Sequence, residues 1–237
     1  CEIPKNEIDL FLEKADFSAI NVTIPYKETV IPHLYFMSEQ AKEIGAVNTV
    51  VNKNGKLYGY NTDFFGMKSL IEKMELSLEG KKVIILGTGG TSKTAYSVAK
   101  SLKATSVLKV SRSSKKDSIT YDELYSSHSD ADIIINTTPS GMFPNWNTCP
   151  VDLEKFNNLC GVVDVVYNPL NTSLVRKAKS LGIKAETGLY MLVAQAVRAS
   201  EIFLDTKYAD DTIDKVFLKI RLPKRNIVLT GMPGSGK

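Results

Sequence analysis

Apolar and polar positions come in blocks that predict strands and helices in alternation. Residues 7–14, Glu-Ile-Asp-Leu-Phe-Leu-Glu-Lys, read as a helix. Phe17 to Ile24 reads as a strand, and Pro25 ends its pairing and throws Lys27 onto the loop or first helical turn beyond. Ser38 to Ile44 reads as a short helix with Ser38 as N-cap. Ala46 to Val51 and Leu57 to Tyr60 read as two strands of a hairpin turned at Asn54-Gly55. Phe64 to Met74 is a helix for which Asp63 is a candidate cap, and Asn48 interrupts an otherwise apolar strand as a candidate buried amide. Farther on, Val83–Leu86, Ser106–Val110, Asp132–Asn136, Val162–Val166 and Ile183–Glu186 read as strands, most of them near-continuous apolar runs. Helical runs separate them at Lys93–Leu102 and Ser173–Ser180, the latter stopped at Gly182; Gly188–Phe203 follows the last strand. This alternation predicts a parallel sheet with helices on both faces.

The densest chemistry lies where the run Val83-Ile84-Ile85-Leu86 enters Gly87-Thr88-Gly89-Gly90-Thr91-Ser92 and then a helix. Strand, glycine turn and helix N-terminus together suit a dinucleotide pyrophosphate, which meets free N–H groups and the positive end of the helix dipole. Gly87 permits the sharp turn and Gly89 a close phosphate, while Ser92 stands where a third Gly or Ala is expected. A P-loop nearly fits as well, but Ser92 occupies a position where that motif needs Gly. The following strand ends in Ser111-Arg112-Ser113-Ser114-Lys115-Lys116, without the carboxylate that would hold the ribose hydroxyls of NAD. A guanidinium at that place can grip a phosphate at two points, so the strand end favours NADP.

Composition narrows the class. The chain has 237 residues, 43% hydrophobic and 24% charged, as in a globular protein of one large or two ordinary domains. No apolar run approaches the ~20 residues of a membrane span, and the net charge of +4 is not gathered into a nucleic-acid stripe. Cys1, Cys149 and Cys160 have no metal or redox spacing and read as free thiols of a reducing, cytoplasmic compartment. His33 and His128 make no ligand pattern, and no metal site is expected. Taken alone, Lys27 reads as a solvated surface lysine.

Eight short motifs in one order resemble the shikimate dehydrogenase family. They are Asn21-Val22-Thr23-Ile24-Pro25-Tyr26-Lys27, Gly45-Ala46-Val47-Asn48-Thr49, Gly59-Tyr60-Asn61-Thr62-Asp63 and the Gly87 loop, then Ser111-Arg112-Ser113, Asn136-Thr137-Thr138-Pro139-Ser140-Gly141-Met142, Asp164-Val165-Val166-Tyr167-Asn168-Pro169 and Gly188-Leu189-Tyr190-Met191-Leu192-Val193-Ala194-Gln195. They span roughly residues 1–205, and with them the P-loop alternative at Gly87 falls away. The resemblance implies two α/β domains, one for the substrate and one a Rossmann-like NADP domain with a parallel sheet, with the site in the cleft between. It implies Lys27 and Asp63 as the catalytic pair, and Thr23, Asn48, Asp63, Tyr167 and Gln195 as contacts of shikimate or 3-dehydroshikimate. The NADP site implied is Gly87, Thr88, Gly89, Gly90, Thr91 and Ser92 with Ser111, Arg112, Ser113, Lys116 and Gly188. A quinate/shikimate dehydrogenase is the nearest alternative, and a non-catalytic NADP- or ligand-sensing module of the same fold is another; the presence of both Lys27 and Asp63 speaks against the second.

The expected division is a substrate domain over 1–79, an NADP domain over 80–187 and C-terminal helices over 188–222 that return to the substrate domain. The family opens with a strand and a Ser-x-Ser-Pro motif for the substrate carboxylate. Those are not in this sequence, so the expectation is an open sheet edge and weak shikimate binding. Residues 223–237 hold the strand-like Asn226–Thr230 and then Gly231-Met232-Pro233-Gly234-Ser235-Gly236-Lys237, a P-loop pattern that resembles the opening of shikimate kinase. A fused kinase is the partner this implies; the oligomeric state is left open.

Overall fold

The computed structural model describes residues 3–113 and 117–222. Lys116 and the P-loop-like run of 231–237 lie outside the described residues. Among the described residues the chain builds two sheets. The first unit starts with α1 (Ile8–Lys14) and β1 (Ala19–Asn21), then β2 (Phe36–Met37), α2 (Glu39–Ile44), β3 (Thr49–Lys53) and β4 (Lys56–Tyr60). Its four strands run in the order β1-β3-β4-β2, with the β3–β4 hairpin antiparallel and β2 added parallel to β4. Ile8, Leu12, Val22, Val30, Val47, Val50 and Leu57 form its core.

The helix α3 (Thr62–Lys73) leaves this unit for the second. There β5 (Lys82–Leu86), α4 (Gly90–Ser101), β6 (Ser106–Val110), α5 (Tyr121–Ser127), β7 (Ile133–Asn136), β8 (Gly161–Asp164), α6 (Ser173–Ser180) and β9 (Lys184–Thr187) follow in turn. The five strands are all parallel, in the order β6-β5-β7-β8-β9. The apolar runs are buried because this sheet is covered on both faces. Val83 and Ile85 of β5 join one core cluster with α3 and α4, while Ile84 and Leu86 join another with α5 and α6. Ile133 and Ile135 against Ile134, and Val163 against Val162, divide in the same way. Finally α7 (Leu189–Leu204) packs along α3 and touches β3, and α8 (Thr212–Arg221) packs on α7.

Several local expectations change. The first strand is only Ala19–Asn21: Phe17 donates locally to the Ala15 carbonyl, and Val22 donates to the Asn48 carbonyl just beyond the ladder. The helix cap is Asn61, whose side chain accepts the Phe64 N–H at 3.2 Å; Asp63 sits inside the first turn, where a carboxylate is favoured by the dipole. The strand β3 begins only at Thr49; just before it Val47 donates to the Lys27 carbonyl, outside the sheet, and Asn48 to the carbonyl of Tyr60, the last residue of β4. The two-residue β2 was too short to be expected, and the helix α5 was not expected although Thr120 and Glu123 form a capping box at its start.

Candidate active site

Lys27 and Asp63 stand 36 positions apart in sequence, yet Lys27 Nζ lies 2.6 Å from Asp63 Oδ2. Local structure fixes both. Tyr26 donates its N–H to the Thr23 carbonyl and the Lys27 carbonyl accepts from Val47, so the segment after β1 is tied down. Asp63 projects from the first turn of α3, behind its Asn61 cap. The side chains are 23% and 16% exposed, which leaves the ion pair within reach of water and of a ligand.

The pair opens into a cleft of about 390 Å³ lined from the first unit by Asn21, Val22, Thr23, Lys27, Asn48 and Asp63. Thr91, Val165, Tyr167 and Gly188 line it from the second, and α7 adds Met191, Leu192 and Gln195. Asn48 is 5% exposed, and its Oδ1 accepts from the Thr62 N–H at 2.8 Å, Thr62 Oγ1 at 3.2 Å and Thr49 Oγ1 at 3.0 Å. The backbone donor identifies that atom as the oxygen, so the amide NH₂ is the part turned to the cleft. Gln195 is tied to the same network through Thr62 Oγ1, 3.3 Å from its Oε1. Gln195 reaches the first unit because Gly66 lets α3 approach α7: a Cβ at Gly66 would stand 2.5 Å from the Met191 carbonyl oxygen and 3.0 Å from Gln195 Cβ. Gly188 has the same role at the start of α7, where a Cβ would stand 2.7 Å from the Val165 carbonyl carbon.

The other wall carries a cradle for an anion. Gly87 has φ +104°, a left-handed value that a side chain rarely adopts, and it turns the chain out of β5. Around Gly89 and Gly90 nothing lies within 4 Å of a would-be Cβ, so space opens at the N-terminus of α4. Ser92, fully buried, donates its hydroxyl to the Gly89 carbonyl at 2.6 Å. It therefore braces the turn from beneath, and its small side chain fits where a third glycine was expected. Exposed Arg112 follows β6, the strand next to β5, and its charge acts on Tyr121. Ser111 is held there by its N–H to the Ile119 carbonyl at 2.9 Å, and Ser113 is exposed beside it. An open glycine turn at a helix N-terminus with a guanidinium at the neighbouring strand end fits a phosphorylated dinucleotide.

Comparison with known proteins supplies the family. The family model for the shikimate dehydrogenase substrate binding domain matches residues 2–50. A shikimate dehydrogenase (NADP(+)) of Clostridium perfringens is 38% identical over 211 residues, covering 85% of this chain and 78% of that protein. The chain belongs to the shikimate dehydrogenase family. Two solved structures of the family superpose closely. One is a chorismate mutase/shikimate 5-dehydrogenase fusion protein from Clostridium acetobutylicum, with TM-score 0.87 and 34% identity, covering 94% of this chain and 85% of that one. The other is the shikimate 5-dehydrogenase from Thermus thermophilus in complex with NADP(H) and shikimate, with TM-score 0.80 and 26% identity, covering 92% and 85%.

For this member of the family, the cleft lining brings together Thr23, Lys27, Asn48, Asp63, Tyr167 and Gln195 with Thr91 and Gly188. Gly87, Gly89, Gly90, Ser111, Arg112 and Ser113 lie outside that lining, on the second unit's glycine turn and neighbouring strand end; Thr88 sits in the same turn. Asn21, Val22, Val165, Met191 and Leu192 also line the cleft without having been singled out. For α7 the signal was available: Gly188, Met191, Leu192 and Gln195 follow the i, i+3, i+4, i+7 spacing of one helix face.

Behind the second unit's strand ends, Asp164 is fully buried. Its carboxylate accepts from Asn136 Nδ2 at 2.9 Å, the Val166 N–H at 3.1 Å and Thr172 Oγ1 at 2.7 Å. Burial outweighs these donors and pushes its pKa up to about 6. The network locks β7, β8 and the cap of α6 together.

Proposed function

We propose that this cleft catalyses the reversible, NADPH-dependent reduction of 3-dehydroshikimate to shikimate in chorismate biosynthesis. The observation that carries the reading is the Lys27–Asp63 pair in a cleft whose facing wall leads to the glycine turn and Arg112. Bound NADPH supplies the hydride. Lys27 stabilises the negative charge that develops on the keto oxygen and delivers a proton to it. Asp63 holds the ammonium in place and accepts a hydrogen bond from a neighbouring hydroxyl of the substrate. With its side chain 23% exposed, Lys27 can recover its proton from solvent. Thr23, the Asn48 NH₂, Tyr167 and Gln195 are assigned to the substrate's polar groups. The Gly87–Ser92 turn, Ser111, Arg112, Ser113 and Gly188 are assigned to NADP, with Arg112 on the phosphate that distinguishes it from NAD.

The division into a substrate domain over 1–79, an NADP domain over 80–187 and returning helices over 188–222 belongs to the same reading. So does a kinase continuing from the Gly231–Lys237 pattern, on sequence alone. The test is NADPH consumption, followed at its absorbance band, by the full-length protein with 3-dehydroshikimate, and the reverse reaction with shikimate or quinate. Turnover with NADP and shikimate, and little with NAD or quinate, is expected. Faster turnover of quinate would assign the cleft to that substrate instead.

A further inference from the structure

The first unit meets the second where α2 packs on α4, and α3 packs on both α4 and α7. Near the cleft residues Lys27 and Thr91, Lys93 Nζ also lies 2.5 Å from Glu28 Oε1. Glu28 directly follows Lys27, and Lys93 lies in the opening turn of α4, beyond the glycine turn. Among the described residues this is the one ion pair that joins the first unit's residues 3–60 to residues 82–187.

We infer that Glu28 and Lys93 form a strap that closes the cleft and positions Lys27 against the bound cofactor. This rests on reading the cleft as the site of NADPH and shikimate. Three observations converge on it. The first turn of α4 contains no acidic residue, so Lys93 is a cation at the positive end of a helix, an unfavourable place without a counter-charge. Glu28 supplies that charge from the opposite wall. The side chains are 40% and 62% exposed, so solvent screens the pair and it adds little to the stability of the fold. Its consequence is therefore geometric: it fixes how far the segment bearing Lys27 stands from the helix end that would receive a pyrophosphate. Glu28 and Lys93 are positioning residues, and neither is assigned to the reacting atoms.

The test uses the full-length protein with E28Q, K93Q, the double variant and K93R. E28Q is expected to lower kcat about two- to fivefold, in line with the modest strength of an exposed pair, and to leave the Kd for NADPH unchanged. The double variant is expected to be no worse than the poorer single variant, and K93R to behave as the wild type. Without any ligand, hydrogen exchange at the Tyr26 and Val47 amides, which hold the Lys27 segment, is expected to speed up in E28Q and K93Q but not in K93R. Wild-type turnover and exchange in E28Q, or losses in the double variant that multiply, would overturn the strap. So would weaker NADPH binding in K93Q beside a silent E28Q, which would assign Lys93 to the cofactor alone. A wild-type protein that does not reduce 3-dehydroshikimate would count against the reading of the cleft, and the exchange data would still decide the strap.

Discussion

At the scale of single residues, the site depends on charges whose surroundings differ sharply. Arg112 is exposed at a strand end, so its removal is expected to act chiefly on the cofactor. A guanidinium–phosphate bond is charge-assisted and contributes about 1.5–3 kcal/mol, or about ten- to a hundredfold in affinity. Arg112→Ala is expected to raise the KM for NADP by that factor and leave that for NAD nearly unchanged; equal losses for both cofactors would place Arg112 on their shared part. Asp164 is the opposite case, a buried carboxyl raised to about 6. Its proton is held more tightly in the fold than in the unfolded chain, so between about pH 4 and pH 6 the folded state binds the extra proton. This group's contribution to stability is therefore complete at low pH, falls as pH rises through that window and is flat above it. A rise of about two pH units in the folded state corresponds to about 3 kcal/mol. Denaturant unfolding from pH 4 to pH 7 should show the wild type losing stability relative to Asp164→Asn by an amount of that order. A constant difference would mean that Asp164 ionises as freely in the fold as outside it.

At the scale of elements, the crossing of α3 and α7 sets the cleft. Gly66 permits it, with no room for a Cβ between the Met191 carbonyl and Gln195. Gly66→Ala is expected to cost about 1–3 kcal/mol through overpacking. It should also raise the KM for shikimate, since Gln195 and the Thr62–Asn48 network move with the helix, and leave NADPH binding in place. Urea unfolding together with both ligand titrations checks this; an unchanged shikimate KM would remove Gln195 from the site. The sequence announces the elements here but not their contact. Asp63 was legible as a polar residue at the start of a helix, and its pairing with Lys27 only through the resemblance of Gly59-Tyr60-Asn61-Thr62-Asp63 to the family's motif. Gly66 was not, because a glycine inside a helix shows its purpose only when a neighbour crosses it.

At the scale of the whole molecule, the parallel sheet, the glycine turn and the basic strand end were legible because buried strands force continuous apolar runs and their chemistry then follows at the ends. The contact of Glu28 with Lys93 was not: both are ordinary surface residues, 65 positions apart, and only tertiary structure joins them. Labour is divided between two walls in the proposed reaction, with the reacting oxygen at Lys27 and the cofactor on the glycine turn and Arg112. The measurement that tests this most directly is made on Lys27→Met in the full-length protein, with single-turnover oxidation of NADPH by 3-dehydroshikimate and a separate NADPH titration. The expected result is a loss of about 10²- to 10⁴-fold in the rate, the usual contribution of a positioned acid, with the Kd for NADPH unchanged. A variant that turns over near the wild-type rate, or one that loses NADPH binding in step with the rate, would contradict that division.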